Sequence, residues 1–201
     1  MRPLLIVLLL AIPAIVSAQG ANATEQVVQE DALVRIIRTS VPAKSEVAIR
    51  EHPDALVVSL PQGTVSWLTP ATRALQNNGA DPLDVLIVEL KTAPAAVPKL
   101  VLGNPAPAPR PGLGIRNVFD NEHVTVDLYT LAPGYKEAAP HPHTWESVFI
   151  QLRDNDMQGA GPGAERKQWT RGELAILPAA VQHAFGNLGE APAEFLYVRL
   201  K

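Results

Sequence analysis

The chain contains five histidines, and two of them, His141 and His143, are separated by a single proline. Side chains two residues apart on a β-strand point to the same face, so both imidazoles could enter one interior. His183 carries another imidazole about forty residues further on. Neutral imidazole is a ligand for zinc, copper, iron and nickel. A third imidazole from another strand would therefore complete the ligand set of a metal site.

The elements that must position these histidines are short and mostly extended. Apolar, β-branched runs bounded by turn residues predict strands, and the 19 prolines and 13 glycines predict many turns. The predicted strands are Leu33 to Arg38, Ala55 to Leu60, Val85 to Leu90, Val124 to Leu131, Ser147 to Leu152, Glu173 to Leu177 and Glu194 to Leu200. A proline-rich stretch, residues 92–111, separates the first three from the last four and is predicted to be a stiff connector. The chain is predicted to be all-β, with halves at residues 24–91 and 112–201.

The two halves look like copies of one unit. At an offset of 110, Asn77 and Gly79 fall on Asn187 and Gly189, within a recurring N-x-G-x-x-P turn that precedes a matching strand. Chance resemblance between two β-rich segments is the alternative. A smaller offset of 91 aligns His52 with His143 and accounts for extra residues in the second copy.

On this alignment the first copy keeps only one of the three imidazoles, that of His52. Arg50 takes the place of His141 and Arg73 that of His183. Guanidinium is always charged and has no lone pair to give, so this half should not bind a cation. The two arginines either grip an anion or pair with Glu51 or Asp54 at a barrel mouth.

The histidine segments resemble the cupin family. The family pattern Gly-x5-Pro-x-Gly-x2-His-x3-Asn is met by Gly172, Pro178, His183 and Asn187, with Ala180 where glycine is usual. The earlier part, a glycine followed by His-x-His and a glutamate, is met more loosely by Gly134, His141, His143 and Glu146. The resemblance implies a double-stranded β-helix, or jelly-roll, barrel and a bicupin whose first half is shortened. It also implies that copies of the chain can pair as a homodimer.

The same resemblance implies a metal centre in the second barrel. His141, His143 and His183 would converge on one divalent transition metal, which could be iron, manganese, zinc, nickel or copper. Glu146 is the fourth implied ligand, but in a regular strand it would point away from the two histidines. A β-bulge would reverse that parity. Glu146 as a ligand and Trp145 lining the pocket in its place therefore both stay open.

Two functions from different classes are consistent with such a site. One is a metal-dependent enzyme acting on a small molecule, since exported cupins with this ligand set resemble oxygenases, decarboxylases and isomerases. The other is a non-catalytic protein that binds a metal or a small ligand. Spacing does not assign the role of general acid or base to any of the remaining candidates, which are Glu137, Glu165, Glu173, Tyr129 and Tyr135.

The beginning of the chain predicts export. An apolar run from Leu4 to Val16 is followed by Ser17-Ala18, small residues suited to cleavage, so residues 1–18 read as a signal peptide of a periplasmic or secreted protein. A membrane anchor is the alternative, but the run is shorter than the roughly 18 residues of a spanning helix. No stable membrane anchor is expected.

The composition limits how the chain can be stabilised and which partners it can bind. The chain has no cysteine, so no disulfide can support it and stability must come from a packed core. Trp67 and Trp169 are expected to pack in that core, and His123 to lie at the surface. The net charge is -3, and no basic stripe is present that would favour nucleic acid as a partner.

Overall fold

The computed structural model describes residues 24–60, 62–91, 110–142, 145–158 and 166–201, and all regular elements in these ranges are β-strands. The first half contains β1 (Gln26–Glu30), β2 (Val34–Val41), β3 (Ser45–Ala48), β4 (Ala55–Ser59), β5 (Thr64–Leu68), β6 (Ala74–Asn77) and β7 (Leu83–Leu90). The second half contains β8 (Leu113–Asp120), β9 (Val124–Leu131), β10 (His141–Pro142), β11 (Ser147–Gln151), β12 (Asn155–Gln158), β13 (Arg166–Trp169), β14 (Leu174–Leu177), β15 (Gln182–His183), β16 (Gly186–Asn187) and β17 (Ala193–Leu200). The predicted all-β class is confirmed.

All seven predicted strands are present, as β2, β4, β7, β9, β11, β14 and β17, with ends that differ by at most three residues. The strands that sequence patterning missed are mainly short or exposed. They include β1, whose side chains are almost all exposed, and the two-residue strands β10, β15 and β16. Such strands bury too little apolar surface to show a regular alternation.

Each half places one five-stranded sheet opposite shorter strands. In the first half the order is β1-β2-β7-β4-β5, and β3 pairs with β6. In the second half the order is β14-β11-β17-β9-β8, which is the same arrangement for equivalent strands. The second half faces this sheet with β10-β15 and with β13-β12-β16. The β12-β13 hairpin has no counterpart among the described strands of the first half.

The apolar core is divided into three layers. One cluster, which includes Val57 and Ile87, fills the first barrel, and another, which includes Phe149 and Phe195, fills the second. A third cluster lies between the two five-stranded sheets and contains Leu56, Val58, Leu86, Val88, Val126, Val148, Ile150, Leu196 and Val198. Because successive side chains on a strand point to opposite faces, β4 and β11 are buried on both sides and are apolar along most of their length.

The recurring turn has the same hydrogen bonds in both halves. The buried side chains of Asn77 and Asn187 each donate to backbone carbonyls on both sides of a turn and accept from the N–H two residues further on. The partners of Asn77 are Val41, Pro42, Asp81 and Gly79, and those of Asn187 are Leu131, Ala191 and Gly189. The two halves therefore share one local design at equivalent positions.

Aromatic side chains extend the contact between the halves. Trp67 of β5 stacks on Phe119 of β8 at 6.1 Å and on the ring of His123 at 5.3 Å. The side chain of His123 is 39% exposed, as expected for a surface residue. Trp169 packs edge-on against Phe149 inside the second barrel. Both tryptophans are packing residues, as the sequence predicts.

Several sequence predictions concern residues outside the described ranges. These are the signal peptide at residues 1–18, nearly all of the connector and His143. Within the described ranges, no helix is long and apolar enough to cross a membrane.

Candidate functional site

His141 and His183 lie directly opposite each other in the second barrel. They are Cα partners in the antiparallel pair β10-β15, and their ring centroids are 5.0 Å apart in an edge-on arrangement. His183 is 1% exposed, whereas the side chain of His141 is 39% exposed. The structure thus brings together two of the three predicted imidazole ligands. The third, His143, lies outside the described residues.

A tight turn delivers His183 to this position. Pro178 follows β14, and its carbonyl accepts a hydrogen bond from the N–H of Val181 at 3.3 Å. Ala180, inside this turn, has a φ of 66°. This left-handed conformation is unfavourable for a residue with a Cβ and free of that penalty for glycine. The observation gives a physical reason for the glycine that is usual at this position of the cupin pattern.

The environment of His183 keeps its ring neutral. Burial, and to a lesser degree the charge of His141, lowers the pKa of His183 to about 4. The ring packs against Phe185 at 4.8 Å, and Phe185 in turn stacks on Phe149. A neutral imidazole at pH 7 has a lone pair to offer, as a metal ligand must.

Glu137 is a carboxylate that lies beside His141, and spacing did not reveal it. Its Oε2 lies 3.7 Å from Nδ1 of His141, and the side chain is only 9% exposed. The same oxygen accepts a hydrogen bond from the N–H of Phe185 at 2.7 Å. Burial raises the pKa of Glu137, while the Phe185 N–H and the charges of His141 and Arg110 act in the opposite direction. A carboxylate beside one ring nitrogen of a histidine favours one tautomer and one ring orientation.

Strand pairing, rather than sequence spacing, shows how Glu137 differs from its counterpart in the first half. In the second half, Lys136 forms a β-bridge with Gly186. The equivalent pair in the first half is Glu46 and Gln76, so equivalent residues of the earlier strand differ by 90 in number. At that offset Glu137 falls on Val47, which is buried in the first barrel. A carboxylate at an inward position that is apolar in the other copy indicates a functional role.

The described contacts of Glu146 lead away from the imidazoles. Its carboxylate accepts a hydrogen bond from the backbone of Ala179, and its pKa is raised by burial and by the charge of Asp31. Trp145 and Ser147, on either side of it, both lie beside the hydroxyl of Tyr197, with 2.7 Å between Ser147 Oγ and that oxygen. Residues 145 and 147 thus share the inner face, which is the parity expected for a regular strand.

Two tyrosines, the half-buried Tyr129 and the buried Tyr197, add hydroxyl groups to the interior wall. Tyr129 stacks on Phe195 at 5.1 Å and lies 5.7 Å from Tyr197, centroid to centroid. Burial raises the pKa of Tyr129 to about 12 and also raises that of Tyr197. Both hydroxyls therefore keep their protons at neutral pH and can donate hydrogen bonds.

The chemistry of the described donors fits a transition metal, although the described residues alone do not complete a site. No group of three or more His, Cys, Asp or Glu in those ranges is arranged to hold an ion. Two facing imidazoles, one of them buried and neutral, are nevertheless suitable ligands. His143 would have to supply the third.

In the first half, the pairing of the strands corrects the predicted equivalence of Arg50 with His141. The N–H of Ile49 bonds to the carbonyl of Arg73 at 2.9 Å, so Ile49, and not Arg50, stands opposite the equivalent of His183. The second half has two extra residues between Glu137 and His141, so the offset between the halves changes from 90 to 92 there. A single offset of 91 therefore misplaces His141 by one residue. Arg50 instead forms ion pairs with Glu25 at 3.1 Å and with the buried Glu89 at 2.5 Å.

Comparison with known proteins gives similarity of structure only. No family model and no curated protein matches the chain. AerE from Microcystis aeruginosa is 10% identical over 92% of this chain and 95% of its own, with a TM-score of 0.62. A cupin 2 conserved barrel domain protein from Leptotrichia buccalis is 13% identical over 92% of each chain, with a TM-score of 0.52. A variant of the salicylate 1,2-dioxygenase from Pseudoaminobacter salicylatoxidans, in complex with gentisate, is 10% identical over 84% of this chain and 69% of its own, with a TM-score of 0.55.

At such identities the likeness shows the fold. The chain has the cupin fold, and because two of these matches cover 92% of it, the likeness includes both halves. The resemblance seen in the histidine segments is confirmed at this level.

Proposed function

We propose that the chain is an exported cupin-fold protein that binds one divalent transition metal through His141, His143 and His183. The metal would be iron, manganese, zinc, nickel or copper, and a small molecule would bind beside it. The observation that carries the proposal is the direct pairing of His141 with the buried, neutral His183. Copies of the chain can also associate as homodimers on this proposal.

Of the two carboxylates, Glu137 is the better candidate for a role at the metal. It is the one whose oxygen lies beside an imidazole, and it is held there by the N–H of Phe185. A carboxylate on the far nitrogen fixes the tautomer and the ring orientation of a histidine ligand. Glu146, the ligand implied by the family pattern, remains the competing assignment.

When bound, the metal would supply a Lewis acid or a redox centre. The chain's own residues would do the remaining work. The carboxylate of Glu137 lies beside Nδ1 of His141, and the hydroxyl of Tyr129 would donate to a polar atom of the substrate. The rings of Phe149 and Phe185 exclude water behind His183. This arrangement favours an enzyme of small-molecule metabolism.

Non-catalytic binding is the second candidate. Its support is the close packing of Phe149, Phe185 and Phe195, which fill the interior behind His183. Oxygen uptake, or loss of substrate, with a panel of phenols, keto acids and dicarboxylates separates the two. Turnover on any compound establishes an enzyme, whereas a filled metal site without turnover favours a binding protein.

Elemental analysis of the purified mature protein tests the metal. We expect about one transition metal per chain, lost in both His141→Ala and His183→Ala. His123→Ala is the matched control, because that ring stacks on Trp67 outside the second barrel and its loss should leave the metal in place. A wild-type protein that stays empty after reconstitution would reject the proposal. Cell fractionation, with sequencing of a mature terminus expected at Gln19, tests export.

A further inference from the structure

A groove of about 670 Å³ opens beside His141. Its lining includes two cationic side chains, Arg110 and Lys136, together with apolar surface from Pro111, Ala139 and Pro140. We propose that this groove binds the carboxylate group of a small molecule with an apolar body. The inference deepens the proposed function by naming its substrate class, and it rests on that function for the metal that His141 would hold.

The charge of the groove is opposite to that of the chain. The whole chain has a net charge of -3, yet among the described residues the lining has two cations and no carboxylate. Arg110 and Lys136 are both exposed, and neither forms an ion pair within the described ranges. Glu137, whose pKa responds to Arg110, is turned inward toward the N–H of Phe185. The two positive charges are therefore available to a ligand.

The backbone on both sides of the groove is held in place. The carbonyl of Arg110 accepts from the N–H of Leu113 at 3.0 Å, and that of Gly112 accepts from Ala132 at 2.8 Å. On the other side, Lys136 forms a bridge with Gly186. The cations thus project from fixed positions, which lowers the entropy lost when a ligand binds.

The chemistry of the lining selects the ligand. A guanidinium group binds carboxylate through two parallel hydrogen bonds, and a nearby ammonium adds a second charge. The proline and alanine surfaces suit an aromatic or aliphatic body, and the volume is in the range of small-molecule sites. A ligand anchored by its carboxylate would extend toward His141, whose side chain is 39% exposed.

Calorimetric titration with salicylate, phenylpyruvate and the neutral analogue salicylamide tests the inference. We expect at least one of the two acids to bind in the millimolar range or better, and salicylamide to bind at least tenfold more weakly than salicylate. Arg110→Gln and Lys136→Gln should each weaken binding of the acid about tenfold and leave salicylamide unaffected. Arg116→Gln, an exposed arginine of β8 outside the groove, is the matched control and should bind as the wild type does.

The inference would be overturned if neither acid bound at 10 mM, which corresponds to about 3 kcal/mol of affinity. It would also be overturned if Arg110→Gln and Lys136→Gln bound the acids as tightly as the wild type does. Tighter binding of inorganic phosphate than of either acid would be the third contradicting result. The metal content of the same samples separates this question from the proposed function. Retained metal with unaffected acid binding in Arg110→Gln would reject the groove alone. An empty wild-type protein that still binds salicylate through Arg110 would reject the metal alone.

Discussion

Leu152 of the second half fills the space in which Gly63 of the first half would carry a side chain. A Cβ built on Gly63 would lie 2.7 Å from Leu152 Cδ1. The reciprocal contact is also present, because a Cβ on Gly172 would lie 2.7 Å from Leu60 Cδ1. Leu60 follows β4 and Leu152 follows β11 at equivalent places, so the two halves interlock through one contact used twice.

Replacing either glycine with alanine should therefore destabilise this contact between the two halves. Gly63 and Gly172 both have positive φ, at 63° and 80°, so Gly63→Ala and Gly172→Ala each add backbone strain to the clash with leucine. We expect each to lower the free energy of unfolding by about 2 to 3 kcal/mol. Gly134→Ala is the control, because Gly134 has a φ of 74° with no atom within 4 Å of its would-be Cβ. It should cost only about 1 kcal/mol. Equal losses in urea unfolding for all three variants would contradict the clash.

Glu137→Gln should weaken metal binding without unfolding the protein. The amide oxygen can still accept from Phe185, but the negative charge beside Nδ1 of His141 is lost. We expect an affinity loss of about tenfold or more in chelator-competition titrations. Glu146→Gln is the matched comparison, since its described interactions are a hydrogen bond from the backbone of Ala179 and the like charge of Asp31, and it should change the affinity by less than about threefold. The reverse order would favour Glu146 as the ligand.

Asn187→Ala should be among the most damaging single changes. The side chain is fully buried, donates to the carbonyls of Leu131 and Ala191 and accepts from the N–H of Gly189. Its loss removes the amide donor to Leu131 and the acceptor for Gly189 and leaves the Ala191 carbonyl with the bond from Asn155 alone, at a cost of about 3 kcal/mol in free energy of unfolding. Asn117→Ala, at an exposed position of β8, should cost less than about 1 kcal/mol. Comparable midpoints of urea unfolding for the two variants would argue against the role of the buried amide.

The second half expressed alone, as residues 110–201, should self-associate. Without the first half, Val126, Val148 and Val198 of the middle layer would face water. Size-exclusion chromatography with light scattering should show oligomers or aggregates. Replacing Val148 and Val198 with lysine in the same fragment should restore a monomer. A monodisperse monomer from the unaltered fragment would mean that the layer does not hold the halves together.

Local patterns predicted much of this fold. Strands such as β4 and β11 are short, mostly apolar runs, and this composition is typical of strands that are buried on both faces. The turns at Asn77 and Asn187 could also be predicted, because each side chain bonds to two backbone groups within four residues. The cupin pattern predicted that His183 approaches His141, and the two are partners in the β10-β15 pair.

The rest depended on register and on long-range pairing. Two extra residues between Glu137 and His141 shift the second half relative to the first, so spacing alone missed Glu137 and misaligned Arg50. Tyr129 reaches the interior because β9 pairs with β17, a contact between segments far apart in the sequence. No periodicity within one segment contains that information.

The apolar middle layer has a thermodynamic consequence of its own. Both surfaces that meet there belong to one polypeptide, so the equilibrium between joined and separated sheets contains no term in protein concentration. Dilution, which would dissociate two separate barrels, leaves this junction closed. The outer sheet face of the barrel that carries the histidines is therefore covered by the first half at any protein concentration.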